Sequence, residues 1–300
     1  MQKDTPWTYE DIPDQSGKIA IVTGANTGIG YYTAKALVEK GAEVILACRN
    51  QEKGAEAVRQ IVLASPGGQA KAMKLDLAQL DSVEAFSDEF KASYKELHLL
   101  INNAGVMMPP LSKTAEGFEL QFGVNHLGHF ALTGRLIDIL KNTPGARIVT
   151  VSSAMHLRGK IDFDNLKAEK TYNKGQQYAQ SKLANVLFAY ELQERYGGEN
   201  GQTKSLVSHP GWTQTDLQRH ISMARVLNPL FGMKTPQGAL PTLRAATDPQ
   251  ARGGDFYGPH GWRGMKGYPV KERNINPLAH DKMLSQKLWD ISTKLTAITY

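Results

Sequence analysis

The sequence predicts a single doubly wound α/β domain, a mostly parallel sheet flanked by helices on both faces. Three observations carry that expectation. Short β-branched runs alternate with amphipathic stretches, the first run opens into a glycine-rich turn, and no linker or fixed-period repeat divides the 300 residues. Ile19-Ala20-Ile21-Val22-Thr23 is largely apolar at successive positions, as a strand covered on both faces requires. Residues 29–40 follow as a helix, with Ile29, Tyr32, Ala36 and Leu37 on one face and Gly41 as the stop. The cycle recurs through a strand at 43–47, a helix over 51–64, a strand at 72–75, a helix over 81–94 and a strand at 99–101. It continues with a long helix over 117–142, a strand at 147–151, a helix over 178–196 and a strand at 205–208. Parallel strands joined through helices in this way need cover on both sheet faces. A last helix is expected over 277–296, with Asn276-Pro277 as cap and first turn and Leu284, Leu288, Ile291 and Leu295 in one stripe. The longest irregular stretches fall around 210–237 and 253–277.

Composition removes several classes of function. One cysteine cannot form an internal disulfide, which points to a reducing compartment, and the expected location is cytoplasmic. No run reaches the ~18 apolar residues that cross a bilayer. The polar, acidic start of the chain has neither the pattern of a signal peptide nor that of a transit peptide. The balance of 35 Lys+Arg against 29 Asp+Glu gives a net charge of +6, but no basic run carries interleaved aromatics, so a nucleic-acid partner is not expected. The domain division is read as a polar extension over 1–16, a core over 17–260 with a substrate loop at about 210–237, and a C-terminal extension with a helix over 261–300.

The turn Thr23-Gly24-Ala25-Asn26-Thr27-Gly28-Ile29-Gly30 lies between the first strand and the first helix. Glycines there let the backbone approach a pyrophosphate, whose charge meets free N–H groups at the helix N-terminus. A glycine pattern alone is weak, but this one occupies the strand-to-helix position that dinucleotide binding of the Rossmann type demands. The second strand ends in Ala47-Cys48-Arg49-Asn50, with no carboxylate to bond a ribose 2′-hydroxyl. Arg49 suits a 2′-phosphate, so the expected cofactor is NADP(H). Cys48 reads as a small filler. Asp76 with Leu77, and Asn103 with Ala104 and Gly105, sit at further strand ends, where ligands of open sheets bind.

Tyr178 and Lys182 stand at i and i+4 of one helix, Ser152-Ser153 follow a strand, and Asn125 lies inside a long helix. Together with the glycine turn, Asn102-Asn-Ala-Gly105 and Pro210-Gly211, this ordered set resembles the short-chain dehydrogenase/reductase family over about residues 17–260. Within it, Ala47-Cys-Arg-Asn50, Thr114 to Leu120, Asn125-His-Leu-Gly-His-Phe130, Ser181 to Asn185 and Leu288-Trp289 look most like the retinol dehydrogenase and protochlorophyllide reductase group. The resemblance implies Tyr178 as general acid, Lys182 lowering the phenol pKa and holding the nicotinamide ribose, Ser153 on the substrate oxygen, and Asn125 holding a water linked to Lys182. It implies cofactor contacts from Gly24, Asn26, Thr27, Gly28, Ile29, Gly30, Arg49, Asn50, Asp76, Leu77, Asn103, Ala104, Gly105, Pro210, Gly211, Thr213 and Thr215. Many relatives form dimers or tetramers, so a homo-oligomer is in view, although the basic C-terminal extension could block the usual helix pairing.

The expected substrate is a small apolar aldehyde, ketone or alcohol, retinal-like or aliphatic. Trp212, Met223, Leu227, Leu230, Phe231 and Met233 offer apolar surface, as do Phe256, Tyr257, Trp262, Met265 and Tyr268, and pocket and core are equal readings for them. Ala184 stands where the protochlorophyllide branch carries a cysteine, which disfavours photoreduction. A non-catalytic NADP(H) sensor is the other alternative; retention of Asn125, Ser153, Tyr178 and Lys182 weighs against it. His126, His129 and His156 lack the companions a zinc site needs, and structural roles are expected with no metal.

Overall fold

The computed structural model describes residues 6–197, 203–213, 232–261 and 264–300. Eight strands form one sheet: β1 (Ile19–Thr23), β2 (Glu43–Cys48), β3 (Gln69–Lys74), β4 (Leu99–Asn102), β5 (Ala146–Val151), β6 (Thr203–Ser208), β7 (Phe256–Pro259) and β8 (Pro269–Lys271). Their order is β3-β2-β1-β4-β5-β6-β7-β8, all parallel up to β7, with β8 antiparallel at the edge. The helices are α1 (Gly28–Glu39), α2 (Gln51–Ala64), α3 (Leu80–Ser93), α4 (Leu120–Phe122), α5 (Gly128–Asn142), α6 (Lys174–Tyr196), α7 (Thr235–Thr247) and α8 (Lys282–Thr296).

Alternation along each strand sends neighbours to opposite faces. Ala20 and Val22 pack under α1, α2 and α7, whereas Ile21 packs under α3, α5 and α6. Both sets are fully buried, which explains why the strands read as unbroken apolar runs. A third cluster joins α6 and α8 through Leu183, Leu187 and Leu288.

Several boundaries differ from expectation, three of them for a local physical reason. The long helix is not uniform: between α4 and α5, Gly123–Leu127 forms a π-helical turn whose following Gly128 N–H reaches back to Gly123 C=O. The last helix breaks in two, because Asn276 caps only a short 3₁₀ turn over Pro277–His280 and Asp281 caps α8 separately. Helix α6 begins earlier than its apolar face, since Asn173 Oδ1 accepts from the N–H groups of Gly175 and Gln176. Residues beyond 260 contribute β8 to the sheet, and α8 packs on α6. At the other end Ile12 is buried and Trp7 and Tyr9 lie against the core.

Candidate active site

Strands β1 and β4 are neighbours whose following connections diverge to opposite sides of the sheet, which opens a crevice at their C-terminal ends. A cleft of about 1160 Å³ occupies this position. It runs from Arg49, Asn50 and Lys53, past the glycine turn, to Ser153, Tyr178, Lys182 and the 210–213 segment.

The glycine turn is shaped by close approach. Gly24 has φ +66°, a left-handed conformation that a side chain disfavours. A Cβ on Gly30 would stand 2.5 Å from Gly24 O and 2.6 Å from Asn103 Nδ2, so α1 can start against this turn only without a side chain. Thr27, the residue before α1, forms no side-chain cap, which leaves the first-turn N–H groups of the helix to face an anion. These features fit the pyrophosphate of a dinucleotide.

Behind the turn, Thr23 and His129 join the cofactor end of the cleft to the Asn125 turn. Thr23 Oγ accepts from the N–H groups of Asn103 and Ala104, both at 2.9 Å, and Asn103 Nδ2 donates to Thr23 O at 2.8 Å. His129 is fully buried and burial pushes its pKa down to about 4, so it is neutral. Its Nδ1 lies 3.0 Å from Asn125 O, which can only accept; Nδ1 therefore carries the proton, and Nε2 accepts from Thr23 Oγ at 3.0 Å.

Ser153, Tyr178 and Lys182 meet at the cleft wall. Burial drives the Tyr178 phenol pKa up to about 12, against a smaller lowering by the Ser153 side chain. Lys182 is buried one turn along α6, its Nζ 5.8 Å from the Tyr178 ring centroid and donating to Val151 O at 3.1 Å. Burial lowers its pKa to about 8. Ser152 is excluded from this set, because its hydroxyl points back to Lys182 O at 2.8 Å. Ser153 Oγ also accepts from Met155 N–H at 3.2 Å, capping a 3₁₀ helix over Ala154–Arg158.

Asn125 does not line the cleft. Its side chain clamps the Val106 backbone with bonds of 2.8 and 3.0 Å, and donates to Ser181 Oγ at 2.9 Å. The π turn holds this side chain against the loop after β4 and against α6 at once. His126 is likewise structural, buried among Phe122, Phe130 and Phe188 and bonded to Ser292 Oγ at 2.9 Å. His156 Nδ1 donates to Ser153 O at 2.7 Å. No metal-ligating group of three or more His, Cys, Asp or Glu occurs among the described residues.

The cleft brings together Gly24, Asn26, Thr27, Gly28, Ile29 and Gly30, as well as Arg49, Asn50, Asp76, Leu77, Asn103, Ala104, Gly105, Pro210, Gly211 and Thr213. Thr215 lies outside the described residues, as do Met223, Leu227, Leu230, Phe231 and Trp262. Phe256 and Tyr257 belong to the core as β7, and Met233 is buried, whereas Trp212 and Met265 line the cleft. Tyr268 is exposed and stacks on His260. Cys48 is buried beneath the turn, and burial pushes its thiol up to about 11.

Several lining residues escape the sequence reading. Lys53, on the first turn of α2, stands beside Arg49, and its spacing from Arg49 was the available signal. Met107, Met108, Met155, Leu157, Arg158 and Asn274 line the other end, in segments without periodicity. Met108 adopts φ +51°, and its N–H donates to Gln121 Oε1 at 2.8 Å.

Comparison with known proteins agrees with this geometry. The family profile described as short chain dehydrogenase matches residues 18–225. Retinol dehydrogenase 11 of Mus musculus is 44% identical over 288 residues, covering 94% of this chain and 87% of that protein. Retinol dehydrogenase 12 of Homo sapiens is 42% identical over 289 residues, covering 95% and 88%. Among solved structures, an uncharacterised protein from Mycobacterium paratuberculosis has a TM-score of 0.83 and 36% identity, covering 99% of both chains. Pseudomonas aeruginosa RhlG, solved as an NADP active-site complex, shares the fold at TM-score 0.64 and 23% identity, covering 81% of this chain and 94% of that one. No helix among the described residues is long and apolar enough to cross a membrane. The chain belongs to the short-chain dehydrogenase family, as an oxidoreductase related to retinol dehydrogenases that uses a nicotinamide cofactor on a small alcohol or carbonyl substrate.

Proposed function

We propose that the protein is an NADP(H)-dependent oxidoreductase of apolar aldehydes, ketones and the corresponding alcohols, with Tyr178 as the general acid of carbonyl reduction. The observation that carries this reading is the convergence of Ser153, Tyr178 and Lys182 on one cleft wall, with the buried Lys182 Nζ 5.8 Å from the Tyr178 ring centroid.

A bound dihydronicotinamide supplies the hydride to the carbonyl carbon. Ser153 orients the substrate oxygen, and Tyr178 delivers its proton to that oxygen to complete the alcohol. The phenol is protonated at neutral pH because burial raises its pKa, so it serves as an acid without prior activation. Lys182 is charged below about pH 8 and stabilises the phenolate left behind. Reduction should therefore hold from neutral pH to about 8 and fall above it as Lys182 loses its proton.

Preference for the 2′-phosphate rests on Arg49 and Lys53, both exposed and both on the cleft wall at the end of β2 and the start of α2. Glu56 also lines this end, but its carboxylate is engaged by Arg59 and Gln60. The free thiol of Cys48 suits a cytoplasmic location. Titration of purified protein should give NADPH at least a tenfold advantage over NADH, about 1.4 kcal/mol. NADPH consumption should then appear with apolar carbonyls such as decanal or retinal. Equal affinities would overturn the NADP assignment, and absence of turnover across an apolar carbonyl panel would overturn the catalytic one.

A further inference from the structure

We propose that Arg158 makes this cleft a site for apolar carbonyl compounds that end in a carboxylate, a reading that rests on the proposed carbonyl reduction. Beyond Ser153 the described wall is mostly apolar, formed by Met107, Met108, Met155, Leu157, Trp212 and Met265, with Asn274 an uncharged polar member. Arg158 is the one charged residue on that stretch of the described lining, and it is exposed with no ion pair or hydrogen bond to another described residue. Acidic lining residues, Glu56 and Asp76, are confined to the opposite end. A guanidinium so placed presents a fork of donors matched to two carboxylate oxygens.

The backbone spacing between Ser153 and Arg158 is set by the fold. Ser153 caps the 3₁₀ helix that ends at Arg158. At ~2.0 Å rise per residue the two Cα atoms lie about 10 Å apart. Both ends of that helix are tied down. His156 donates to Ser153 O at 2.7 Å, and Asn276 Nδ2 donates to His156 O at 2.9 Å and Gly159 O at 3.0 Å. A Cβ on Gly159 would stand 2.6 Å from Ala179 O, so the helix end is seated directly on α6, which also carries Tyr178. An aldehyde held at Ser153 and Tyr178 with a medium-length chain lying over Met155 and Leu157 would bring a terminal carboxylate to Arg158. The reaction is the same reduction: hydride to the aldehyde carbon, a proton to its oxygen, and the carboxylate unchanged.

Three substrates of matched chain length test this with NADPH: nonanal, azelaic semialdehyde, and the methyl ester of that semialdehyde. At low salt kcat/KM for the acid should exceed that for the ester by about fivefold, the order expected for one solvent-accessible charge pair. The gap should close in high salt. Arg158→Met should bring the acid-to-ester ratio to one, and Arg158→Glu should bring it below one; as a ratio, it is insensitive to any general loss of active protein. An acid-to-ester ratio of one in the native protein, or a preference that survives Arg158→Met, would overturn the proposal while nonanal turnover upholds the parent reading. No NADPH consumption with any of the three would overturn both.

Discussion

The two ends of the cleft are built on different principles. Behind the glycine turn at the cofactor end, regular elements and short buried hydrogen bonds fix a connected set: Thr23, Asn103, His129 and Asn125 are linked across β1, the segment after β4, and the turn before α5. At the substrate end, the wall comes from a 3₁₀ helix, a left-handed Met108 and the 210–213 and 264–274 segments, with methionines that can repack around varied shapes. The contrast teaches a division of labour, in which the end that binds an invariant cofactor is rigid and the end that selects a substrate is adaptable.

The largest effect expected is on the chemistry at the junction of the two ends. Tyr178→Phe should lower kcat about a thousandfold, within the range for removal of a positioned acid, while NADPH affinity stays nearly unchanged. Parallel loss of both, followed by intrinsic NADPH fluorescence, would instead mark a structural tyrosine.

Next in size is the rigidity of the cofactor end. Thr23→Val leaves the Ala104 N–H without its acceptor and the Asn103 N–H with only Ile101 O, and His129→Phe removes the other half of the bridge. Each should cost about 1–3 kcal/mol of stability in urea unfolding. The double variant should be less destabilised than the sum of the two, because both remove one shared contact. Strict additivity would show that the bridge is not a coupled unit. Smaller still, Arg49→Ala should remove most of the roughly tenfold NADPH preference, about 1.4 kcal/mol. Lys53→Ala should remove part of it, and higher salt should weaken NADPH more than NADH.

The smallest change belongs to the adaptable end. Met155→Ala should raise KM for decanal about threefold with little effect on kcat, since it trims uniform binding surface. A collapse of kcat would mean that the 3₁₀ helix is as exacting as the glycine turn.

The same contrast decides what the sequence disclosed. Strands such as Ile19–Thr23 and helices such as Gln51–Ala64 are visible because burial on two faces or on one imposes a pattern. Helix α7 was not visible: it carries Gly238, packed against Thr213, and an interior Pro241, both of which signal loop rather than helix. Strands β7 and β8 have four and three residues, with Pro259 and Pro269 among them, too short for alternation to register. Within the site, Tyr178 and Lys182 are close in sequence and could be paired by spacing. The Thr23–His129 contact spans 106 positions, and no local pattern announces it. The resemblance implies a site role for Asn125; its hold on Val106 follows from the π turn, a one-residue change in helical register that the residue pattern does not mark.

The most direct test of the divided cleft is one crossed experiment, measuring NADPH affinity and single-turnover reduction of decanal in Tyr178→Phe and Arg49→Ala side by side. The division predicts that Tyr178→Phe keeps its cofactor affinity and loses reduction, while Arg49→Ala binds NADPH more weakly yet reduces decanal at nearly the native rate once saturated. Loss of both properties in both variants would contradict it.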